Sequence, residues 1–539
     1  MTGLVDLNPA HLTIVEHILA EHVPECEVRA FGSRAVWNAR DTSDLDLAIV
    51  GEGPLPGRTL TMLKEAFEES RLPIRVDVID WNAITDGFRE SIEPDCMVVQ
   101  KAPERADWPT VALGEVVELT LSSVDKKSKA DEYPVLLCNY TDVYKNDFIR
   151  ADMDFMPATA KEREIGRCSL VKGDVIITKD SEAYDDIGVP ALVRDSIPNL
   201  LCGYHLAILR AKPEIDDTYL FYVLKTREVQ QQFHAYANGV TRFGLRKADI
   251  GLVELPLPPL EEQRAIARVL GTLDDKIELN RRMSETLEEM ARALFKSWFV
   301  DFDPVRAKVE GQLSGLPPDL DALFPESFEA SELGEKPAGW EVQRLGELCH
   351  KPQYGYTQSA QDDPVGPKFL RITDINKGAW IVWDSVPYCE ITPEDYEKYR
   401  LREGDVLIAR MADPGHGCVV EVERDAVFAS YLIRFRPLDG RFGRFLQYWM
   451  RSDGYWQLVR ERGVGTTRLS LNAKILSSFP IVVPSRALLD AFGDCVEDLR
   501  SRVVTNTAES STLAALRDAL LPRLVSGELR VADLGAIGT

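Results

Sequence analysis

The run Leu257-Pro258-Pro259-Leu260-Glu261-Glu262-Gln263-Arg264-Ala265-Ile266-Ala267 opens a stretch that continues without proline to Trp298-Phe299. Apolar side chains fall at Ile266, Val269, Leu270, Leu273, Ile277, Met283, Leu287, Met290, Leu294 and Trp298. Steps of three and four give one stripe over about ten helical turns, with Lys, Arg, Glu and Asp on the opposite face. At about 1.5 Å per residue such a helix spans roughly 60 Å. A second stripe follows Pro480 and Pro484: Leu489, Phe492, Val496, Leu499 and Val503, then Leu513, Leu516, Leu520 and Leu524, interrupted at Asn506 and Ser510. Two long amphipathic helices of similar length most simply bury their stripes against each other. The alternative, each packing on its own domain, leaves much of a ten-turn stripe uncovered.

The segments before these helices repeat. Trp108-x4-Leu113-Gly114-Glu115 recurs as Trp340-x4-Leu345-Gly346-Glu347, and Gly173-Asp174-Val175-Ile176-Ile177 as Gly404-Asp405-Val406-Leu407-Ile408, at offsets of 232 and 231. Gly239-Val240, Leu245 and Pro256 recur as Gly463-Val464, Leu469 and Pro480, at an offset of 224. Three matches in one order imply two copies of a unit of about 150 residues, each followed by a long helix. Short apolar runs bounded by Gly, Asp or Pro predict strands in both copies: Val135–Leu137, Val175–Thr178, Ala207–Leu209 and Val253–Leu255, then Phe369–Ile372, Val406–Ile408, Tyr431–Phe435 and Ile481–Val483. A helix is expected near Tyr219–Tyr236 and another near Arg444–Arg460. Residues 301–339, rich in Pro, Gly and Ser, read as a linker.

Composition narrows the class. A chain of 539 residues, at roughly 100–200 per domain, holds three to five domains. No apolar run approaches the roughly 18 residues of a membrane helix, so no membrane partner is expected. The first twenty residues carry Asp6, His11 and Glu16 and no basic start, unlike a secretory signal. Nine cysteines without a CxxC pair fit a reduced, cytoplasmic protein. The net charge of −24 argues against a free-standing nucleic-acid binder. Residues 434–468 reverse the sign locally, with eight Arg against Asp439, Asp453 and Glu461.

The order of unit, long helix, linker, unit, long helix resembles the specificity subunit of type I restriction–modification systems. The carrying residues are Leu257 to Ala267 at the start of the first helix, Trp298-Phe299-Val300-Asp301-Phe302-Asp303-Pro304-Val305 at its end, the two Gly-Asp-Val strands and the Gly239-Val240-Thr241-Arg242 turn. The resemblance covers about residues 106–530. It implies an α+β multidomain chain in which two target-recognition domains, 106–259 and 340–484, are separated by two long antiparallel spacer helices, 260–300 and 485–530 with the C-terminal tail, joined through the linker 301–339. It further implies a split, asymmetric double-stranded DNA target, two methyltransferase subunits docked on the spacer helices, and restriction/translocase subunits in the larger complex. Half-site spacing is then a geometric property of the helices. The candidate DNA contacts are Arg242, Arg246 and Lys247 in copy one and Thr466, Thr467 and Arg468 in copy two; Asn139, Tyr140, Lys179, Tyr354, Tyr356 and Arg410 are weaker candidates.

Residues 1–105 carry a different pattern. A short strand, Val28–Phe31, leads into Gly32-Ser33; ten residues later comes Asp44-Leu45-Asp46, and Asp77 lies on a further strand, Ile74–Ile79. This Gly-Ser-x10-Asp-x-Asp arrangement resembles the minimal DNA polymerase β-like nucleotidyltransferases, an α/β domain. Asp44 and Asp46 share one face of a strand, and three carboxylates suit Mg²⁺, which takes oxygen ligands and bridges substrate phosphates. On this reading Asp44, Asp46 and Asp77 are the catalytic and metal-binding residues, Gly32, Ser33 and Arg34 hold a nucleoside triphosphate, and Mg²⁺ with that nucleotide are the cofactors. The bland alternative is a set of carboxylates on a surface edge.

Other chemistry is not legible. There is no Gly-x4-Gly-Lys-Ser/Thr loop and no Asn/Asp-Pro-Pro-aromatic signature of amino-methyltransferases. Asp413-Pro414-Gly415-His416-Gly417-Cys418 reads as a loop. Methylation and cleavage are expected on other chains, and the specificity part is expected to need no cofactor. Two further readings stay open: an antitoxin-like nucleotidyltransferase that uses the duplicated module to find its acceptor, and a scaffold that assembles partners without sequence readout.

Overall fold

The computed structural model describes residues 5–532 apart from Pro24, Glu25, Asp41, Thr42, Glu52, Pro54, Pro56, 103–107, Val240, Thr241, Lys377 and 464–469. It divides into two units, Met1–Val269 with Ala519–Thr539, and Leu270–Asp518.

The first unit begins with a four-stranded sheet ordered Val76–Asp80, Leu45–Val50, Glu27–Phe31, Met97–Gln100. Leu45, Leu47 and Ile49 alternate into a core with Val28 and Ala30, closed by Val15 and Leu19 of helix Pro9–His22 and by Leu63 and Phe67 of helix Gly57–Glu68. That alternation leaves Asp46 on the other face.

Next in this unit is the first copy of the repeated domain. Its five-stranded sheet is ordered Val117–Leu121, Leu206–Ala211, Val175–Thr178, Pro190–Val193, Phe148–Ile149, and a three-stranded sheet is ordered Leu200–Cys202, Tyr133–Cys138, Met156–Ala160. The single helix expected near 219–236 is two, Asp217–Leu224 and Arg227–Tyr236. Asp216 caps the first, and the Thr226 hydroxyl donates to the Val223 carbonyl at 2.7 Å where it ends. Gln263, fully buried in the first turns of the long helix, accepts from the Asp216 amide at 2.8 Å and donates to the Glu214 and Pro258 carbonyls at 3.1 and 2.8 Å.

The second unit repeats the scheme with strands ordered Gln353–Tyr354, Leu432–Phe435, Val406–Ala409, Gly417–Val419 and a parallel pair, Lys368–Leu370 with Ala426–Phe428. The strand expected to reach Ile372 stops at Leu370, because Arg371 and Asp374 form a capping box that starts helix Ile372–Ile375. The helix expected near 444–460 is again two, Arg441–Trp449 and Asp453–Arg462, with Ser452 capping the second. Residues 301–339, read as a linker, are folded. Helix Asp303–Val309 and hairpin Phe328–Ser331/Gly334–Pro337 form there, and Phe302, Val305 and Phe324 are buried with Trp298 and Trp340. Its aromatic anchors outweigh its loop-like composition.

The long helices are Leu260–Phe299 and Arg486–Val525. Within the second unit they run antiparallel: Asp274 meets Arg517 at 2.6 Å, Asn280 meets Glu509 at 2.8 Å, Ser284 meets Asn506 at 3.2 Å, and Glu288 pairs with Arg500. Asn506, expected to interrupt the stripe, is instead a buried member of this polar layer. Beyond it the contact is aromatic, with Phe492 at 5.7, 6.0 and 5.1 Å from the rings of Phe295, Trp298 and Phe299.

Backbone pairing gives the repeat its true register. Lys179 donates to the His205 carbonyl and Leu245 to the Lys179 carbonyl; Arg410 donates to Tyr431 and Leu471 to Arg410. Likewise Leu113 donates to Val253 and Leu345 to Phe479. The late part of the repeat is therefore offset by 226, not 224. This pairs Leu245 with Leu471, and along the chain Gly239-Val240-Thr241-Arg242 with Gly465-Thr466-Thr467-Arg468.

Candidate functional site

The Gly-Asp-Val signature is a framework device. Gly173 and Gly404 take φ of +93° and +82°, a region open to glycine. The buried aspartate that follows accepts from a backbone amide, Val171 or Arg402, at 2.9 Å in both copies. It also pairs in bidentate fashion with an arginine in the neighbouring strand of copy one and just past its end in copy two. Arg210 reaches Asp174 at 2.7 and 2.8 Å, and Arg436 reaches Asp405 at 2.6 and 2.7 Å. The two arginines are unremarked in sequence and become visible only at the 226 offset.

At the opposite end of the same strand the copies diverge. In copy one, Lys179 pairs with Asp180 at 2.6 Å and lies 4.7 Å over the exposed ring of Tyr204. His205 Nδ1 lies 3.3 Å from Asp180 and 3.0 Å from the Arg242 guanidinium. Tyr140 stacks on Tyr144 and its hydroxyl lies 3.4 Å from that of Ser181. Asn139 is buried as a helix cap. In copy two, Arg410 stands over Tyr354 at 5.0 Å, the Tyr354 hydroxyl accepts from the Ala473 amide, Tyr431 is exposed, and Tyr356 packs on Tyr399. Thus Lys179, His205 and Arg242 form one cluster, with Tyr204 and His205 the members that sequence reasoning missed. Arg246, though exposed, is paired in bidentate fashion with Asp249 at 2.8 Å and caps its own short helix, so it does not join that cluster; Lys247 is exposed on the same helix. Thr466, Thr467 and Arg468 lie outside the described residues.

The basic stretch 434–468 is largely committed internally. Arg436 holds Asp405, Arg441 holds Asp439 and Asp490, Arg444 holds Glu421 and Glu497, and Arg451 holds Glu288. Arg500, fully buried, links Glu288 and Glu421 at the helix pair. Burial alone would raise the Glu421 carboxyl, but Arg500 and Arg444 override it and hold the group below its ordinary value. In the segment 413–418, read as a loop, Cys418 enters strand Gly417–Val419, and burial pushes its thiol up to about 12.

In the N-terminal sheet Asp46 and Asp77 are register partners on parallel neighbouring strands. Asp44 lies two residues before Asp46. Burial, then Asp77, then Asp44 raise the Asp46 carboxyl above the ordinary range. Gly32 (φ +75°) packs so closely that a Cβ there would lie 2.6 Å from Asp46 Oδ2. Asp77 also meets Arg75 at 3.0 Å. The donor set, hard oxygens crowded with like charge, suits a divalent cation. As placed, however, no three His, Cys, Asp or Glu side chains among the described residues stand close enough to hold a metal ion. Arg34 departs from the expected phosphate clamp. It is buried, and its guanidinium donates to the Asp6 carbonyl at 2.7 Å and to the Ser43 carbonyl at 2.9 and 2.7 Å, bracing the loop that carries Asp44.

Comparison with known proteins agrees with this division. Residues 105–289 and 337–487 match the family described as Type I restriction modification DNA specificity domain, and residues 15–102 match Polymerase beta, Nucleotidyltransferase. The chain belongs to the type I restriction–modification DNA specificity family and carries an N-terminal domain of the polymerase β nucleotidyltransferase family. Its relatives include the type I restriction enzyme HindI specificity subunit of Haemophilus influenzae, 25% identical over 479 residues that cover 79% of this chain and 100% of that protein. The probable protein adenylyltransferase MntA of the same organism is 44% identical over 106 residues, 20% of this chain and 93% of that protein. Among solved structures, the S subunit of a type I restriction–modification system from M. genitalium covers 79% of this chain and 98% of its own at 17% identity, with a TM-score of 0.46. Among the described residues no helix is long and apolar enough to cross a membrane.

Proposed function

We propose that the chain is the DNA-reading subunit of a type I restriction–modification complex, recognising a split, asymmetric duplex target and docking two methyltransferase subunits and the restriction subunits along its paired helices. The observation that carries this is the doubled framework with divergent tips. The same Gly-Asp/Arg device anchors one strand in each copy, while the residues at its far end differ: Lys179 against Arg410, and His205 against Tyr431. A major groove distinguishes all four base pairs, so different tips read different half-sites. Arg242 and Arg468 align along the sequence at the 226 offset and are the strongest base-contact candidates. The acidic overall charge fits a subunit whose partners supply much of the phosphate affinity. The test is an electrophoretic shift with randomised duplex, with and without the methyltransferase subunits. Enrichment of one bipartite sequence is the expected result, and sequence-independent retention would favour a scaffold.

The N-terminal domain is read as a Mg²⁺-dependent nucleotidyltransferase. Asp44, Asp46 and Asp77 would hold the metal, which supplies charge neutralisation at the transferring phosphate. Gly32 lets the backbone lie close against Asp46, Ser33 would contact the triphosphate, and Arg34 would position the Asp44 loop. Transfer of label from ATP to a protein in cell extract, lost in Asp44→Ala/Asp46→Ala, is expected; unchanged labelling would remove the assignment.

A further inference from the structure

The framework arginine of the second recognition domain does not stand alone. A cavity of about 290 Å³ opens beside it, and its lining is His350, Lys351, Arg402, Arg434 and Arg436. At about 30 Å³ per water it has room for a hydrated anion. The equivalent positions in copy one follow from the pairing. Arg436 corresponds to Arg210 through Asp405 and Asp174. Arg434 therefore corresponds to Ile208. Arg402 corresponds to Val171, since each gives its amide to the framework aspartate. Val117 faces Ala211 as Cys349 faces Pro437, so His350 corresponds to Glu118; Thr120 faces Ile208 as Gln353 faces Arg434, so Lys351 and Pro352 stand where copy one has Leu119 alone.

Copy one thus completes the same framework with an acid, three apolar residues and one arginine. The four extra groups of copy two have no cationic counterparts in the framework of copy one. Nor are they cheap. Arg434 is buried near Arg436 and Arg402, and burial, against the opposing pull of Asp405 and helped by those like charges, takes its guanidinium below the ordinary value. It is kept in place by the carbonyls of Arg400 and Lys398 and by Gln353, with Asp405 3.7 Å away. Asp405 offsets the charge of Arg436 and part of that of Arg434, and no other carboxylate lines the cavity. Lys351 and Arg402 remain exposed at the rim. Clustered cations that copy one does without, around a concave opening, are the arrangement that binds phosphate oxygens.

We infer that this cavity is a phosphate-binding site confined to the second recognition domain, with Lys351, Arg402 and Arg434 as its principal ligands. It lies at the Asp405 end of strand Val406–Ala409, five residues or roughly 16 Å from the Arg410 tip proposed to read bases. The phosphate is either that of a duplex backbone flanking the half-site or that of a small phosphorylated ligand.

The full chain and its Lys351→Glu/Arg402→Glu variant, altered only at exposed positions, distinguish these sources. In one arm pyrophosphate is titrated calorimetrically without DNA. In the other, duplex affinity is measured against salt. Saturable pyrophosphate binding that weakens at least tenfold in the variant supports a small-ligand site, and this arm stands even if the DNA-reading proposal fails. A salt slope that falls by about two, one per cation removed, supports backbone contact. If the variant matches the parent in both arms, or the parent binds neither probe, the inference is overturned. Val171→Glu in copy one, at the exposed counterpart of Arg402, is the matched control and should leave both readouts unchanged.

Discussion

The two recognition domains share a backbone and differ in how each is fastened to the long helices. The first uses an uncharged clamp: Gln263 satisfies one amide and two carbonyls and carries no formal charge. The second uses ions: Arg500 bridges Glu288 and Glu421, with Arg444 and Arg451 closing the network. The difference teaches that duplication preserved the framework while leaving each copy to solve its own attachment, and the two solutions respond differently to mutation and pH. Glu421→Ala strands buried guanidinium groups and should destabilise the second unit by about 3–5 kcal/mol, whereas Gln263→Ala should cost the first unit about 1–3 kcal/mol. Urea unfolding of the full chain, followed by hydrogen exchange in each unit, separates the two losses. Equal losses would dissolve the contrast.

Acid sharpens the same contrast. The Glu421 carboxyl is held low in the folded state, so its contribution to stability is present above its unfolded value and is lost as pH falls through the lowered folded value. The ionic clamp should therefore weaken below the ordinary glutamate range, near 4.5, while Gln263 does not titrate. Hydrogen exchange around Arg500 and around Gln263, compared across that window, checks the sign.

The tips supply the next test. Arg242→Ala and Arg468→Ala, aligned along the sequence at the 226 offset, should each lose about 1–3 kcal/mol of binding and relax specificity in one half-site only. Base-by-base competition on the selected duplex reads this directly. Relaxation of the same half-site by both variants would break the assignment of one half-site to each copy.

Within the helix pair a smaller effect is expected. Asn506 is buried against Ser284, and its Oδ1 accepts no hydrogen bond from the described residues. Asn506→Leu should raise stability by about 1 kcal/mol while loosening the alignment of the helices, since a buried polar residue fixes register at a cost in stability. Unfolding and the spacing preference of bound duplexes should then move in opposite senses, one more stable and the other broader.

Much of this architecture is legible without coordinates because its signals are periodic. Ten turns of stripe from Ile266 to Trp298 identify a helix, and a Gly-Asp-Val run repeated 231 residues later identifies a duplication. What is not legible depends on pairing across space. Arg210 and Arg436 are ordinary arginines until Asp174 and Asp405 are placed beside them. Residues 301–339 have the composition of a linker, yet Phe302 and Phe324 find an aromatic pocket. Arg34 has the chemistry of a phosphate clamp, but its reach to Ser43 and Asp6 depends on how the loop folds back. The third match of the repeat shows the same limit, since a two-residue slip at Leu245 is invisible until backbone hydrogen bonds set it.

The N-terminal carboxylates give the smallest stability effect and a direct reading of chemistry. Asp46 is raised by burial, Asp77 and Asp44, so its charged form is disfavoured in the fold. A raised carboxyl adds stability below its unfolded value and loses it as pH rises through the folded value, so near neutrality the ionised group burdens the domain. Asp46→Asn removes that burden. It should raise the thermal midpoint of the metal-free N-terminal domain modestly at neutral pH and leave it little changed at acid pH, while abolishing any stabilisation by Mg²⁺ and any label transfer. A carboxylate merely decorating a surface edge would show neither the gain without metal nor the loss with it.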